Sequence, residues 1–221
     1  LYLTDWNTPR MPAGWEHFTL PPYTIGQLGD EWMGVIASWP DTLTLRFREA
    51  ATVRVVHGNP ASAFIGMMPS SSDAELAAML EGVEATTVIG GHSHLSIDRQ
   101  VGRWHVVNPG TVGNPIDGDL RASYMLLEGD EHGWRATRRQ VTYDVQRVLD
   151  EFERTDFVEQ CGVVGHLIVE EHRTGRLKVL PFLKWWRTHF PDEAHRMDLL
   201  EPFAHANLRD YTPLDYQNGM D

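Results

Sequence analysis

The chain has 221 residues, of which 42% are hydrophobic and 23% are charged, as in folded globular proteins and unlike disordered or fibrous ones. Thirty-one acidic residues against 19 basic ones give a formal net charge of -12, which argues against general nucleic-acid binding. Cys161 is the only cysteine, and no apolar run reaches the roughly 20 residues that span a bilayer. We therefore expect a cytoplasmic protein with no membrane attachment.

The N-terminal segment predicts a loop followed by one helix. Residues 1–23 contain four prolines, which break regular elements. Apolar residues at spacings of three and four from Ile25 to Trp39 predict an amphipathic helix that stops at Pro40. Residue 1 is Leu and no signal peptide follows, so we expect translation to begin further upstream.

Residues 40–143 predict alternating strands and loops around one helix. Ser72 and Glu75 have the spacing of a capping box, which predicts a helix over 73–81. Short apolar runs predict strands at 43–47, 53–56, 87–89 and 104–107, and an antiparallel pair at 123–127 and 134–143. This order predicts a layered α/β sandwich, in which ligands bind beyond the carboxyl ends of the strands.

After Tyr143 the pattern becomes helical, with predicted helices near 145–152 and 185–190. We therefore divide the chain into a domain over 1–143 and a helical, aromatic-rich extension over 144–221. The pair Trp185-Trp186 has helical spacing with Leu183 and Phe190, which favours packing over stacking on a nucleobase. The extension is also the candidate surface for a homo-oligomer.

Histidines carry the strongest chemical signal. His92 and His94 follow the predicted strand 87–89, and His57 follows the strand 53–56. Neutral imidazoles ligate Zn, Mn, Fe or Ni, although His-x-His also occurs by chance in solvated loops. His105 lies inside a predicted strand, and His166 and His172 lack ligand spacing, so we exclude these three.

Three motifs occur in a fixed order: His57-Gly58-Asn59-Pro60, then Gly91-His92-Ser93-His94, then Asn108-Pro109-Gly110-Thr111-Val112-Gly113. They resemble the last motifs of the calcineurin-like metallophosphoesterases, most closely those of the small bacterial phosphodiesterase branch. The resemblance covers roughly residues 25–143.

The resemblance implies a layered β-sandwich flanked by helices and a site for two divalent transition-metal ions, which activate water to hydrolyse small phosphomonoesters or phosphodiesters. By the same resemblance His57 and His92 hold one ion and His94 holds the other. The residues that shape the turns around them are Gly58, Gly91, Asn108, Gly110 and Gly113.

The family's earlier motifs, an Asp-x-His, a Gly-Asp and a Gly-Asn-His, have no convincing counterpart. Asp5-Trp6-Asn7 stands among prolines, and Gly29-Asp30 falls within the predicted helix, where we expect a solvated face. The resemblance therefore predicts that the N-terminal part of the fold is missing and that half of the metal ligands are absent from this chain.

Two classes of function stay open. One is a metal-dependent phosphoesterase whose site is completed by an upstream segment. The other is a non-catalytic binding or regulatory protein that retains the fold. Metallo-β-lactamase-like hydrolases are disfavoured because Ser96 stands where they require Asp, and barrel amidohydrolases because their His-x-His lies near the start of the chain.

Overall fold

The structure, a computed structural model, describes residues 3–9, 11, 18–191 and 193–218. It divides into two compact units, one of residues 40–143 and one of residues 1–39 with 144–221. Part of the predicted loop over 1–23 lies outside the described residues, at 1, 2, 10 and 12–17. The assignment of 1–143 to one domain and 144–221 to an extension stays a prediction.

The unit of residues 40–143 is built on a five-stranded mixed sheet with the order β1-β2-β3-β5-β4. The strands β2, β3 and β5 run parallel, and β1 and β4 pair antiparallel at the two edges. A separate antiparallel hairpin, β6 with β7, follows. The bounds are β1 (Thr42–Leu45), β2 (Val53–Val56), β3 (Thr87–Ile89), β4 (Ser96–Val101), β5 (Trp104–Pro109), β6 (Ala122–Asp130) and β7 (Gly133–Val141).

Helix α2 (Asp73–Met79) packs on one face of this sheet and closes its core. The capping box is confirmed, since the Glu75 amide donates to Ser72 Oγ at 3.2 Å and the Ser72 amide donates to Glu75 Oε2 at 2.7 Å. Such a cap stabilises a helix by about 1 kcal/mol. The core consists of Val56, Met67, Leu76, Leu80, Val83, Ala85, Val88, Ile97, Val101 and Val106. The mixed α/β fold predicted from the sequence is therefore confirmed.

In the other unit, helix α1 (Leu20–Ala37) begins earlier than predicted. The prediction of a loop up to Tyr23 was wrong there, because Pro21 and Pro22 occupy the first turn, where a helix needs no backbone N–H. Gly29, with φ 67° and ψ 173°, interrupts the helix. Gly29-Asp30 is thus exposed as expected but lies at a break in the helix.

The two C-terminal helices predicted from the sequence are present as α3 (Val145–Arg154) and α5 (Val179–His189), and the structure adds α4 (Phe157–Thr174) and α6 (Leu200–Ala204). Trp185 and Trp186 are each only 5% exposed and pack with Phe182, Leu183 and Phe203 in this unit's core. Burial raises the pKa of the free Cys161 thiol to about 11. Over the described part of the chain, no helix is long and apolar enough to cross a membrane.

Candidate metal centre

Three loops meet at the carboxyl ends of the parallel strands β2, β3 and β5. The amide of Gly91, after β3, donates to the carbonyl of His57, after β2, at 2.7 Å. The neighbouring Gly90 amide donates to the Val107 carbonyl of β5 at 2.9 Å. Because parallel strands end at one edge of a sheet, these short bonds bring the three predicted motifs together.

His57 and His92 lie in direct contact. His92 Nδ1 is 3.3 Å from His57 Nε2, and the two rings are nearly perpendicular at an interplanar angle of 76°. Two nitrogens bound to one tetrahedral ion at about 2.0–2.1 Å are about 3.3 to 3.4 Å apart. The observed separation therefore suits two ligands of a single ion.

His94 has a defined tautomer. Its Nδ1 lies 3.0 Å from the carbonyl oxygen of Asn114, which can only accept a hydrogen bond. In the neutral ring this bond places the proton on Nδ1, which leaves the lone pair on Nε2. A backbone carbonyl that fixes the ring in this way is a usual companion of a metal-binding histidine.

His92 and His94 both have left-handed backbone conformations, with φ of 62° and 58° respectively. This conformation costs about 1–2 kcal/mol for a residue with a Cβ. Ser93 between them is 2% exposed, and its amide donates to the Gly91 carbonyl at 2.6 Å. Strain of this kind persists only where the surroundings enforce it, and it concentrates at functional sites.

Asn108 supplies much of that enforcement. Its side chain is fully buried, and its Nδ2 donates to the Gly91 carbonyl at 2.9 Å and to Ser93 Oγ at 3.0 Å. Its Oδ1 accepts from the Gly110 amide at 3.0 Å. One side chain thus ties the histidine loop to the turn after β5.

The predicted glycines differ in what they tolerate. A Cβ on Gly58 would stand 2.5, 2.7 and 2.9 Å from the carbonyl oxygens of Ser62, Ile65 and Ala63. Gly110 has φ 87° and would bring a Cβ to 3.1 Å from Ser123 Oγ. A Cβ on Gly91 would make only an ordinary 3.4 Å contact, and one on Gly113 would meet nothing within 4 Å.

Electrostatics favour neutral imidazoles. Partial desolvation by the surrounding loops, and then the neighbouring His94, lower the pKa of His57 below its ordinary value, although the side chain is exposed at its surface. Burial, and then His57 and His94, lower the pKa of His92. Both rings therefore carry lone pairs at neutral pH, the form in which imidazole binds metals.

The three histidines make an incomplete donor set. Within residues 3–9, 11, 18–191 and 193–218, no group of three His, Cys, Asp or Glu side chains is arranged to hold a metal ion. These residues therefore fit a dinuclear metal site only in part. Two imidazoles have the spacing of ligands to one ion and a third has a fixed tautomer, but in the described part of the chain no carboxylate lies with them.

Two residues that support the site, Asn59 and Asn114, were not predicted to do so from the sequence. Asn59, 6% exposed, donates to the Ile65 carbonyl at 2.8 Å and accepts from the Ala61 and Ser62 amides, so it shapes the loop that follows His57. Asn114 positions His94 through its carbonyl. The signal for Asn59 was its place directly after His57-Gly58, since asparagine often bonds its own backbone in turns.

Residues 27–132 match the calcineurin-like phosphoesterase superfamily domain, and this segment belongs to that superfamily. Members of this superfamily typically bind divalent metals. The small bacterial branch stays a resemblance. No curated protein matches the chain in sequence.

Two solved structures share the fold. A hypothetical protein from Pyrococcus horikoshii is 19% identical with a TM-score of 0.61, and the match covers 76% of this chain and 63% of that one. A metallophosphoesterase from Sphaerobacter thermophilus is 21% identical with a TM-score of 0.57, covering 78% of this chain and 74% of that one. The chain therefore spans less than two thirds of the first protein's length.

Proposed function

We propose that this chain supplies the histidine half of a dinuclear centre that hydrolyses phosphomonoesters or phosphodiesters. His57 and His92 are the ligands of one divalent ion, and His94 is a ligand of the other. The observation that carries this proposal is the 3.3 Å contact between His92 Nδ1 and His57 Nε2. The fixed tautomer of His94 and the membership of residues 27–132 in a phosphoesterase superfamily support it.

When bound, two divalent ions lower the pKa of a water molecule and neutralise charge on the phosphoryl oxygens. The chain's own residues prepare for this. The lowered pKa values of His57 and His92 keep both imidazoles neutral, and the Asn114 carbonyl leaves Nε2 of His94 with its lone pair. Asn108 holds the strained loop that carries His92 and His94.

We further propose that the remaining ligands, which in such centres include carboxylates, lie outside the described residues. The ions are Mn, Fe, Zn or Ni, and the substrate is a small phosphoester. These points rest on the motif resemblance and on the imidazole donor set, which suits transition ions better than Mg²⁺ or Ca²⁺.

Metal uptake and hydrolysis test the proposal together. The complete natural protein is expected to bind about two Mn²⁺ or Zn²⁺ ions and to hydrolyse bis(4-nitrophenyl) phosphate. His92→Ala is expected to lose both properties. His132→Ala is the matched control, because its side chain is 84% exposed in the turn between β6 and β7. No metal uptake by the unmodified protein would refute the ligand assignment.

A non-catalytic binding or regulatory role is the second candidate. The observation that favours it is the absence, among the described residues, of a carboxylate that completes the histidine cluster. Metal uptake without hydrolysis of phosphomonoesters or phosphodiesters, in the complete natural protein, would favour this role over the enzyme.

A further inference from the structure

A basic pocket lies in the unit of residues 1–39 and 144–221, and the proposed metal centre does not use it. Its volume is about 340 Å³, within the range of roughly 300–1,000 Å³ for small-molecule sites. Its lining residues are Arg176, Leu177, Lys178, Asn207, Leu208, Arg209 and Tyr216. We refer to this feature as the basic pocket.

The lining of the basic pocket selects for negative charge. Among the described residues, its lining holds two arginines and a lysine but no acidic residue, although acidic residues outnumber basic ones 31 to 19 in the chain. Three cationic groups around one concavity raise the local concentration of anions despite a net charge of -12.

The uncharged polar groups of the basic pocket also favour binding of an anion, because they are hydrogen-bond donors. Burial, and then Asp215, raise the pKa of Tyr216 to about 12, so its phenol keeps the proton and can donate to an anion. The Asn207 amide is a second donor, and it also donates to Asp210 at 3.1 Å. Leu177 and Leu208 offer apolar surface beside these donors.

The walls of the basic pocket are anchored. Glu171, 2% exposed, accepts from the backbone amides of Lys178 and Val179 at 2.7 and 2.9 Å, which fixes the segment between α4 and α5. Arg176 donates to the Asn218 carbonyl. The Arg209 carbonyl accepts from Gln217 Nε2 at 3.1 Å. Anchored walls reduce the ordering cost of binding a ligand.

We propose that the basic pocket binds a small organic monophosphate. Guanidinium groups match the paired oxygens of phosphate, and lysine adds a point charge. The leucines and the ring of Tyr216 accommodate the organic part. The assignment is independent of the metal centre, because none of the pocket's residues belongs to the unit that carries the histidines.

Calorimetric titration of the full chain in EDTA tests this, with adenosine 5′-monophosphate, inorganic phosphate and adenosine as probes. Both phosphates are expected to bind, adenosine is not, and added NaCl should weaken binding. Lys178→Gln with Arg209→Gln is expected to weaken binding by roughly tenfold or more, since each removes a charge-assisted hydrogen bond. Lys184→Gln is the matched control, because this exposed lysine of α5 does not line the pocket.

Two further variants test whether the phosphates bind in the basic pocket and not at the proposed metal centre. Tyr216→Phe keeps the ring and removes one donor, and it is expected to weaken binding severalfold even if the double variant fails to fold. His92→Ala is expected to bind both phosphates like the unmodified chain, which separates the basic pocket from the proposed metal centre. The proposal is overturned if neither phosphate binds, if Lys184→Gln and the double variant bind equally, or if His92→Ala abolishes binding.

Discussion

Replacing Gly58 by alanine perturbs the candidate centre at its most crowded point. The new Cβ would lie 2.5, 2.7 and 2.9 Å from three backbone carbonyl oxygens, all inside the 3.0 Å limit that real Cβ atoms respect. No rotamer change relieves a clash with backbone, so the loop itself must move. Overpacking by one methyl group costs about 1–3 kcal/mol, and we expect the upper end, about 3 kcal/mol, because all three contacts are rigid.

Gly113→Ala is the matched control for this substitution. A Cβ at Gly113 meets nothing within 4 Å, and its backbone does not have a positive φ. Alanine there is expected to be neutral or to stabilise by up to about 1 kcal/mol, through loss of entropy in the unfolded chain. Urea unfolding followed by circular dichroism measures both free energies. A Gly58→Ala variant within about 0.5 kcal/mol of the unmodified chain would refute the steric argument, since that is the range of ordinary surface substitutions.

Three further predictions concern hydrogen-bonded and titratable side chains. Asn108→Ala is expected to lower the free energy of unfolding by about 3 kcal/mol, because it leaves the buried hydrogen-bond partners of Asn108 unsatisfied. The control Gln100→Ala, at an exposed position of β4, is expected to lower it little, and urea unfolding measures both variants. Glu171→Ala removes a buried carboxylate that accepts hydrogen bonds from two backbone amides, and it is expected to lower the free energy of unfolding by about 3 kcal/mol. Hydrogen exchange is expected to be faster in this variant at residues 176–180. The pKa values of His57 and His92 are lowered in the folded chain, so the unfolded chain binds protons more tightly. Stability should therefore fall as pH drops below the ordinary value of 6.5 and be flat above it, and His57→Gln with His92→Gln should reduce this slope between pH 7.5 and 5.5.

The fold was predictable wherever local pattern and tertiary context agree. Strands β2 and β3 match their predicted bounds, because both lie inside the sheet and consist of β-branched residues apart from Arg54. Strand β4 was missed because Asp98, Arg99 and Gln100 interrupt its apolar residues, as an edge strand allows. Its signal was Gly102, whose φ of 54° makes the tight turn into β5.

Helix α4 shows a different reason for failure. The sequence predicted no helix between residues 152 and 185, whereas α4 runs from Phe157 to Thr174. Gly162, with φ 57° and ψ -139°, breaks it, and the glycine hid a continuous pattern across the break. Periodicity identifies helices that repeat regularly, but it does not reveal two helical segments joined at a kink.

At the candidate centre, the sequence predicted which loops form the site but not the hydrogen bonds that join them. The three motifs converge as expected, since each follows a parallel strand. The left-handed backbones of His92 and His94 and the bond from His94 to the Asn114 carbonyl could not be read from the sequence. They depend on partners between 15 and 20 residues away along the chain, at Asn108 and Asn114.

The same partners lead to a last prediction, on metal removal. The loops that carry His57, His92 and His94 are held by hydrogen bonds within the protein, among them those of Asn108, Gly91 and Asn114. Small zinc domains differ, because metal binding supplies their folding free energy. We therefore expect the hydrogen-bonded amides of these loops to stay protected from hydrogen exchange in EDTA, with Mn²⁺ adding little further protection; they are those of Gly90, Gly91, Ser93, Gly110 and Asn114. The amide of Glu131, in the exposed turn between β6 and β7, serves as the fast-exchanging control. Fast exchange of the histidine loop in EDTA, slowed only by Mn²⁺, would show that the metal builds the loop, and the hydrogen-bond explanation of its strained backbone would then be wrong.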